Sequence, residues 1–295
     1  RASTASGNHP TARKGIPVSR WIWGPLVTLC GLTLLIGSAR LFVARVREVV
    51  GANALAERDV IGAIDAFGAA ARMNPLDPEP LLAIAAIHDR LNEPEAARAA
   101  LEKAVRVAPI GKTYYRLGRY LISVGEPAKA VTYLEKAREA DPHHLRALLA
   151  LADAYRASGQ PEKADRVYRD MIELHRGPVG RIRALPEVVD WEYGIAYAAI
   201  AEALISSGKH TEAIPMLQDA DQILGELWRT RHDAMVRMRV PADAMREAVA
   251  RYEWVLTQLT ACLRDAHRDA EADAAAARLA KFREEHARET GATAP

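Results

Sequence analysis

The sequence predicts an all-α chain: a right-handed superhelical solenoid of paired helices, preceded by one N-terminal transmembrane helix. Three observations carry that expectation. Composition favours helix, because Ala, Leu, Glu and Arg dominate while aromatics make up only 6% of the chain. Residues Trp21 to Ala39 form 19 consecutive positions without a charge. Pro75, Pro109 and Pro142 are spaced by 34 and 33 residues, and a period of that length marks stacked helical repeats.

The N-terminal elements come first. Residues 1–20 are rich in Ser, Thr, Gly, Pro and basic residues, with no apolar period, and are expected to be disordered. The uncharged run resumes as Leu41-Phe42-Val43-Ala44 after Arg40, so the expected span covers 21–44. A bilayer core takes about 20 apolar residues in helix. Trp21 and Trp23 suit the headgroup level at one end, and Arg40 can snorkel at the other. A cleavable signal sequence would have a shorter apolar core of about 7–15 residues. Basic residues lie evenly on the two sides, Arg1, Arg13, Lys14 and Arg20 before the span and Arg40, Arg45, Arg47 and Arg58 after it. The positive-inside count is therefore a tie. Since the chain opens with Arg1, upstream sequence could set the orientation instead. No gap follows the span, so it is expected to run straight into the first repeat helix, about Phe42 to Ala56.

The repeat is fullest between Tyr114 and Pro142: Tyr114, Leu117, Gly118, Leu121, Gly125, Ala130, Leu134, Ala137, Pro142. Gly118 permits close approach of two helices, Gly125 ends the first helix in a left-handed turn, and Pro142 stops the second. Ala130 and Ala137 mark tight contacts on either side of Leu134. The scheme recurs as Ala63, Phe67, Ala70, Pro75; as Leu81, Ile84, Ala85, Ala97, Leu101, Ala104, Pro109; as Leu148, Leu151, Ala152, Tyr155, Gly159, Ala164, Tyr168, Met171; and as Tyr197, Ile200, Ala201, Leu204, Gly208, Ala213, Leu217, Ala220. The solenoid is thus expected over 45–220. The Gly- and Pro-rich stretch at 176–190 reads as a loop inserted between repeats. Helices over 221–290 are expected to cap the stack, and 291–295 to be a disordered tail.

Little in the chain points to chemistry. P-loop, GxGxxG, HExxH and GxSxG signatures are absent, and no catalytic residue, metal ligand or cofactor is expected. His143 and His144 adjoin on a turn, where neighbouring side chains seldom face one ion. Glu187, Asp190 and Glu192 cluster near Arg181 and Arg183, a grouping better suited to salt bridges that hold a loop. Net charge of +2 from 40 basic and 38 acidic residues argues against nucleic acid as partner. Cys30 and Cys262 say little about redox compartment.

The period and the Tyr114–Pro142 pattern resemble the tetratricopeptide repeat. That family implies protein or peptide binding without catalysis, on a concave face lined by the first helix of each pair. The positions left open there are Lys112, Tyr115, Arg116, Arg119, Arg146, Leu149, Asp153 and Arg156. Five of these eight are basic, so an acidic or phosphorylated segment, or an anionic glycan or lipid headgroup, is the expected ligand. The asparagines of the chaperone-binding carboxylate clamp are missing from these positions. The chain is therefore read as a membrane-anchored, single-pass scaffold for protein–protein interaction in a bacterial envelope complex, contacting lipid through its N-terminal helix. A narrower resemblance rests on the helix leading through Arg40 and Arg45 into residues 54–85, and on 181–193. These are similar to the C-terminal part of O-antigen ligase-like membrane proteins, which implies periplasmic repeats attached to a glycan-transferring enzyme. Upstream spans would favour that enzyme, and a nearby start codon the scaffold.

Overall fold

The computed structural model describes residues 18–177, 190–230 and 242–290, with side chains described from residue 27 and, in the last segment, over 245–289. Residues 1–17 of the expected N-terminal segment 1–20, residues 178–189 of the expected loop 176–190, and the tail 291–295 lie outside these residues. Twelve helices and no strand occur among the described residues. Two compact units divide at Glu93 and Pro94.

The first unit holds α1 (Val18–Ala56), α2 (Val60–Met73) and α3 (Glu79–Arg90). Helix α1 is 39 residues long, about 58 Å at the usual rise. From Val27 onward it is long and apolar enough to cross a membrane. Val27, Leu29, Leu32, Leu34, Leu35, Ile36, Leu41 and Phe42 are all exposed along it, an arrangement that water would penalise at about 25 cal/mol per Å². The same helix changes character at Ala44, which is 2% exposed. Further on, Phe67 of α2 packs its ring over Gly51, where an added Cβ would lie 3.0 Å from three ring carbons. Ala63, Phe67 and Ile87 form the core of the unit, with Ala54, Leu55, Val60, Ile64, Ala83 and Ile84 packed around them. Asp59 caps α2 by accepting from Gly62 N at 2.9 Å.

The second unit holds α4 (Pro94–Val107), α5 (Gly111–Ser123), α6 (Pro127–Ala140), α7 (Leu145–Ala157), α8 (Pro161–Arg176), α9 (Trp191–Ser206), α10 (His210–Arg229), α11 (Ala242–Asp265) and α12 (Asp269–Thr290). Each helix packs on the next in sequence, and α5 also touches α7, α7 touches α9, and α9 touches α11. First helices of successive pairs therefore line one side of the stack. Proline opens α6 and α8, where the missing N–H is an orphan anyway.

The turns inside the pairs are built alike. Gly125, Gly159 and Gly208 sit at φ +77°, +76° and +75°. After each, the next amide returns to the carbonyl five residues back: Glu126 to Leu121, Gln160 to Tyr155 and Lys209 to Leu204, at 2.8–2.9 Å. This is the left-handed helix stop that leaves few carbonyls unpaired. The same closure links α11 to α12, where His267 takes φ 55° and Arg268 N reaches Leu263 O at 2.9 Å. Helices α11 and α12, in the region expected to cap the stack, thus share the repeat's own turn.

Packing inside the pairs is equally periodic. Ala130, Leu134 and Ala137 on α6 are wholly buried, as are Ala164 and Met171 on α8 and Ala213, Leu217 and Ala220 on α10. Small residues at both flanks let α6 and α10 close on their partners, and the leucine between them fills the gap, while on α8 Met171 takes the second flank. Helix α9 is buried on all sides from Trp191 to Ala201, as expected of a helix that is apolar around its whole circumference.

Candidate functional site

Helices α5, α7, α9 and α11 converge on a pocket of about 190 Å³ on the side lined by first helices. Its floor is apolar: Ile122, Leu149 and Ala150. Tyr115, Arg119 and Ser123 come from α5, Arg146 and Asp153 from α7, Trp191 from the start of α9, and Glu247 from α11. The helical spacing explains the grouping. Residues 115, 119 and 122 lie three and four apart on one face of α5, and 146, 149, 150 and 153 do the same on α7.

Five of the eight residues expected at a binding face, Tyr115, Arg119, Arg146, Leu149 and Asp153, line this pocket. Tyr115 and Leu149 are buried and form wall and floor rather than open surface. Lys112 and Arg116 are exposed on the same helix nearer its start, outside the pocket lining. Arg156 is exposed one turn beyond Asp153, 3.9 Å from Glu202.

The charges do not add up to the basic face that their residue types suggest. Arg146 Nε donates to Glu192 Oε1 at 3.0 Å, and the Glu192 side chain is only 7% exposed. Burial raises the Glu192 carboxyl above its ordinary range even though Arg146 opposes the shift. Glu202, the neighbour of Arg156, accepts from Arg251 Nη2 at 2.7 Å, and the Arg251 guanidinium lies 4.4 Å from the Trp254 ring centroid. Asp153 is shifted the same way. The residue is exposed to the groove, yet desolvation of its carboxyl against the groove walls, reinforced by the negative charge of Glu247, pushes its pKa to about 6. Arg156, Tyr168 and Arg119 counteract this only in part, and the hydrogen bond from Tyr168 Oη is long at 3.5 Å.

Trp191 is 4% exposed, and its indole Nε1 has no hydrogen-bond partner among the described residues. A buried donor left unpaired costs about 1–3 kcal/mol, so the indole N–H is a ready point of attachment for an acceptor. Neither Trp191 nor Glu247 stood out in the sequence. Helix α9 has 16 residues where α7 has 13, and Trp191 sits on the extra N-terminal turn, outside the repeat register.

His144 and Glu192, one member of each grouping, have structural partners. His144 Nδ1 accepts from Ala147 N at 3.0 Å and so caps α7. Its ring lies 5.0 Å from that of Tyr115. Glu192 pairs with Arg146, while Glu187, Arg181 and Arg183 lie outside the described residues. Groups of three potential metal ligands are absent among the described residues.

Models of the tetratricopeptide repeat match residues 51–110 and 121–185. Those two stretches are tetratricopeptide repeats. A curated relative, the small glutamine-rich tetratricopeptide repeat-containing protein 2 of Mycosarcoma maydis, is 33% identical over 93 residues. That match takes in 31% of this chain and 26% of the relative, so the chain spans about a quarter of it. Among solved structures, Pseudomonas aeruginosa PilF is similar over 86% of this chain and 95% of its own, with a TM-score of 0.55 at 13% identity. The tetratricopeptide fold is what that likeness shows. MamA from Desulfovibrio magneticus RS-1 aligns with 61% of this chain and 94% of its own, at TM-score 0.47 and 20% identity.

Proposed function

We propose that this tetratricopeptide-repeat protein is a membrane-anchored scaffold that holds a segment of another protein in the groove lined by α5, α7, α9 and α11. The observation that carries the reading is the pocket itself. Four first helices converge there on an apolar floor with charged walls and an indole donor that has no hydrogen-bond partner among the described residues. Extended peptides suit such a lining, since they bring backbone acceptors, apolar side chains and charges in alternation.

The tether is argued from α1. Its exposed apolar side chains run from Val27 to Phe42, and the helix continues without a break to Ala56, where it is part of the first unit's core. Removal of the apolar part as a leader would cut a helix whose other end is folded. An acidic character for the bound segment is best supported at Arg116, exposed on α5. It has less support at Arg146 and Arg156, which stand beside Glu192 and Glu202. The setting we propose for the scaffold is a bacterial envelope complex.

Ser123 is exposed at the mouth of the pocket, and Ser123→Trp closes it without entering the core. Full-length chain and this variant are to be cross-linked in native membranes and their captured proteins identified by mass spectrometry. A partner held by the parent and lost from the variant is expected; identical capture by both would reject the groove. Extraction with alkaline carbonate tests the tether. Parent chain should stay with the membrane. A variant with Leu34→Lys and Leu35→Lys should be released, each lysine costing about 3 kcal/mol near the middle of a span. Release of the parent would reject the anchor.

A further inference from the structure

We propose that the pocket between α5, α7, α9 and α11 seats a lysine or arginine side chain of the bound peptide, its cationic head at Asp153 and a peptide carbonyl at Trp191 Nε1. This rests on the groove reading above and narrows it to one kind of ligand.

The geometry points to a cation in three ways. The floor of Ile122, Leu149 and Ala150 can hold a methylene stem, and a volume of about 190 Å³ admits one long side chain. Asp153 stands at the end of that floor, open to the groove. Among the described residues its hydrogen bonding is limited to the 3.5 Å contact from Tyr168 Oη. Glu247 and the groove walls disfavour its ionised carboxylate, and Arg156 and Arg119 favour it; the balance lies above the ordinary carboxylate range. An incoming cation relieves both burdens, whereas an incoming carboxylate would add to them.

The indole supplies the second contact. Nε1–H is a donor only, so it cannot serve the cation and needs an acceptor. The acceptor a peptide always brings is its backbone carbonyl, and the same residue can place its head on Asp153 while its main chain passes Trp191. An acidic side chain directed at Arg146 would have to compete with Glu192, already bonded at 3.0 Å.

A random-peptide library displayed on phage is to be panned at neutral pH on the full chain held in lipid nanodiscs, with Ser123→Trp as the blocked reference. Affinities of enriched peptides are then measured on parent chain, Asp153→Asn and Trp191→Phe. The expected result is enrichment of peptides with Lys or Arg at one fixed position. Asp153→Asn should weaken them about tenfold, the effect of one charge-assisted hydrogen bond, and Trp191→Phe should weaken them several-fold. Replacing the basic residue of the peptide by norleucine should cost the parent the same tenfold and cost Asp153→Asn nothing further. Peptides that need an open pocket but share no basic residue, or that bind Asp153→Asn unchanged, would overturn the proposal and leave the groove reading standing. Failure of any peptide to prefer the parent over Ser123→Trp would overturn both.

Discussion

Replacing Gly118 by alanine places a methyl group where α5 and α6 touch most closely. A Cβ built there lies 2.5 Å from Leu134 Cγ and 2.7 Å from Leu134 Cδ2, well inside van der Waals contact. Leu134 cannot withdraw easily, since it is 0% exposed between the equally buried Ala130 and Ala137. Relief requires a new rotamer or a small separation of the two helices, an overpacking cost of about 1–3 kcal/mol. Alanine returns about 1 kcal/mol of helix preference over glycine. The net expectation is a loss of about 1 kcal/mol. The sign should reverse once Leu134→Ala has opened the space: in that background Gly118→Ala should stabilise by about 1 kcal/mol, a coupling near 2 kcal/mol. Gly68 on α2 offers a contrast, because its nearest neighbour is the flexible end of Arg72 at 3.5 Å. Gly68→Ala alone should stabilise by about 0.5–1 kcal/mol. Urea unfolding of the detergent-solubilised full chain, followed by circular dichroism, measures all four variants. A stabilising Gly118→Ala in the parent background, or no change of sign with Leu134→Ala, would show that the two helices do not meet at this glycine.

The remaining predictions concern charge. Arg146→Met strips the partner from buried Glu192 and should cost about 3 kcal/mol in thermal or urea unfolding, most of it recovered in the double variant with Glu192→Gln. Asp153 has a folded pKa of about 6, above its ordinary 3.8, so the folded state binds more protons between those values. Its contribution to stability is therefore greatest at low pH and falls as pH rises through about 6. The shift corresponds to at most about 3 kcal/mol, and since the carboxylate is open to groove water we expect about 1 kcal/mol. Asp153→Asn should accordingly stabilise the chain by about that amount at neutral pH and flatten the difference from the parent near pH 4, as read from unfolding at both pH values. Ala130→Leu, at a fully buried contact, should destabilise by about 1–3 kcal/mol in the same assay.

The helix pairs were readable because each is enforced by a few residues with no alternative. A left-handed turn accepts glycine almost without cost, so Gly125, Gly159 and Gly208 recur at φ near +75°. A second helix that packs this closely needs small flanks, so alanine recurs around Leu134 and Leu217. Asn92 tolerates the same turn at φ 57°, but where it uses Arg58 and His267, with φ of 65° and 55°, the residue type does not announce it. The cap expected of α11 and α12 rests on the polar outer face that a solenoid end needs, which a repeat-type turn does not oppose. Their turn is the repeat's turn, held by the backbone bond from Arg268 to Leu263 rather than by a glycine.

The groove was harder to read, because charge counted along one face ignores what the neighbouring helix brings. Five basic residues among the eight expected positions suggested an anion-binding surface. The fold sets Glu192 of α9 against Arg146 and places Glu202 of the same helix near Arg156, so these two arginines have carboxylates close by. It also brings Glu247, nearly a hundred residues downstream, to the side of Asp153. Neither juxtaposition follows from a spacing within one repeat; both depend on α9 and α11 standing next in the stack. In a solenoid the small flanking residues fix the register of stacking, but the groove's chemistry is set by pairs between neighbouring repeats. The under-compensated member of such a set, here Asp153 beside the unengaged Trp191 indole, indicates what a ligand must bring more directly than a sum of charges does.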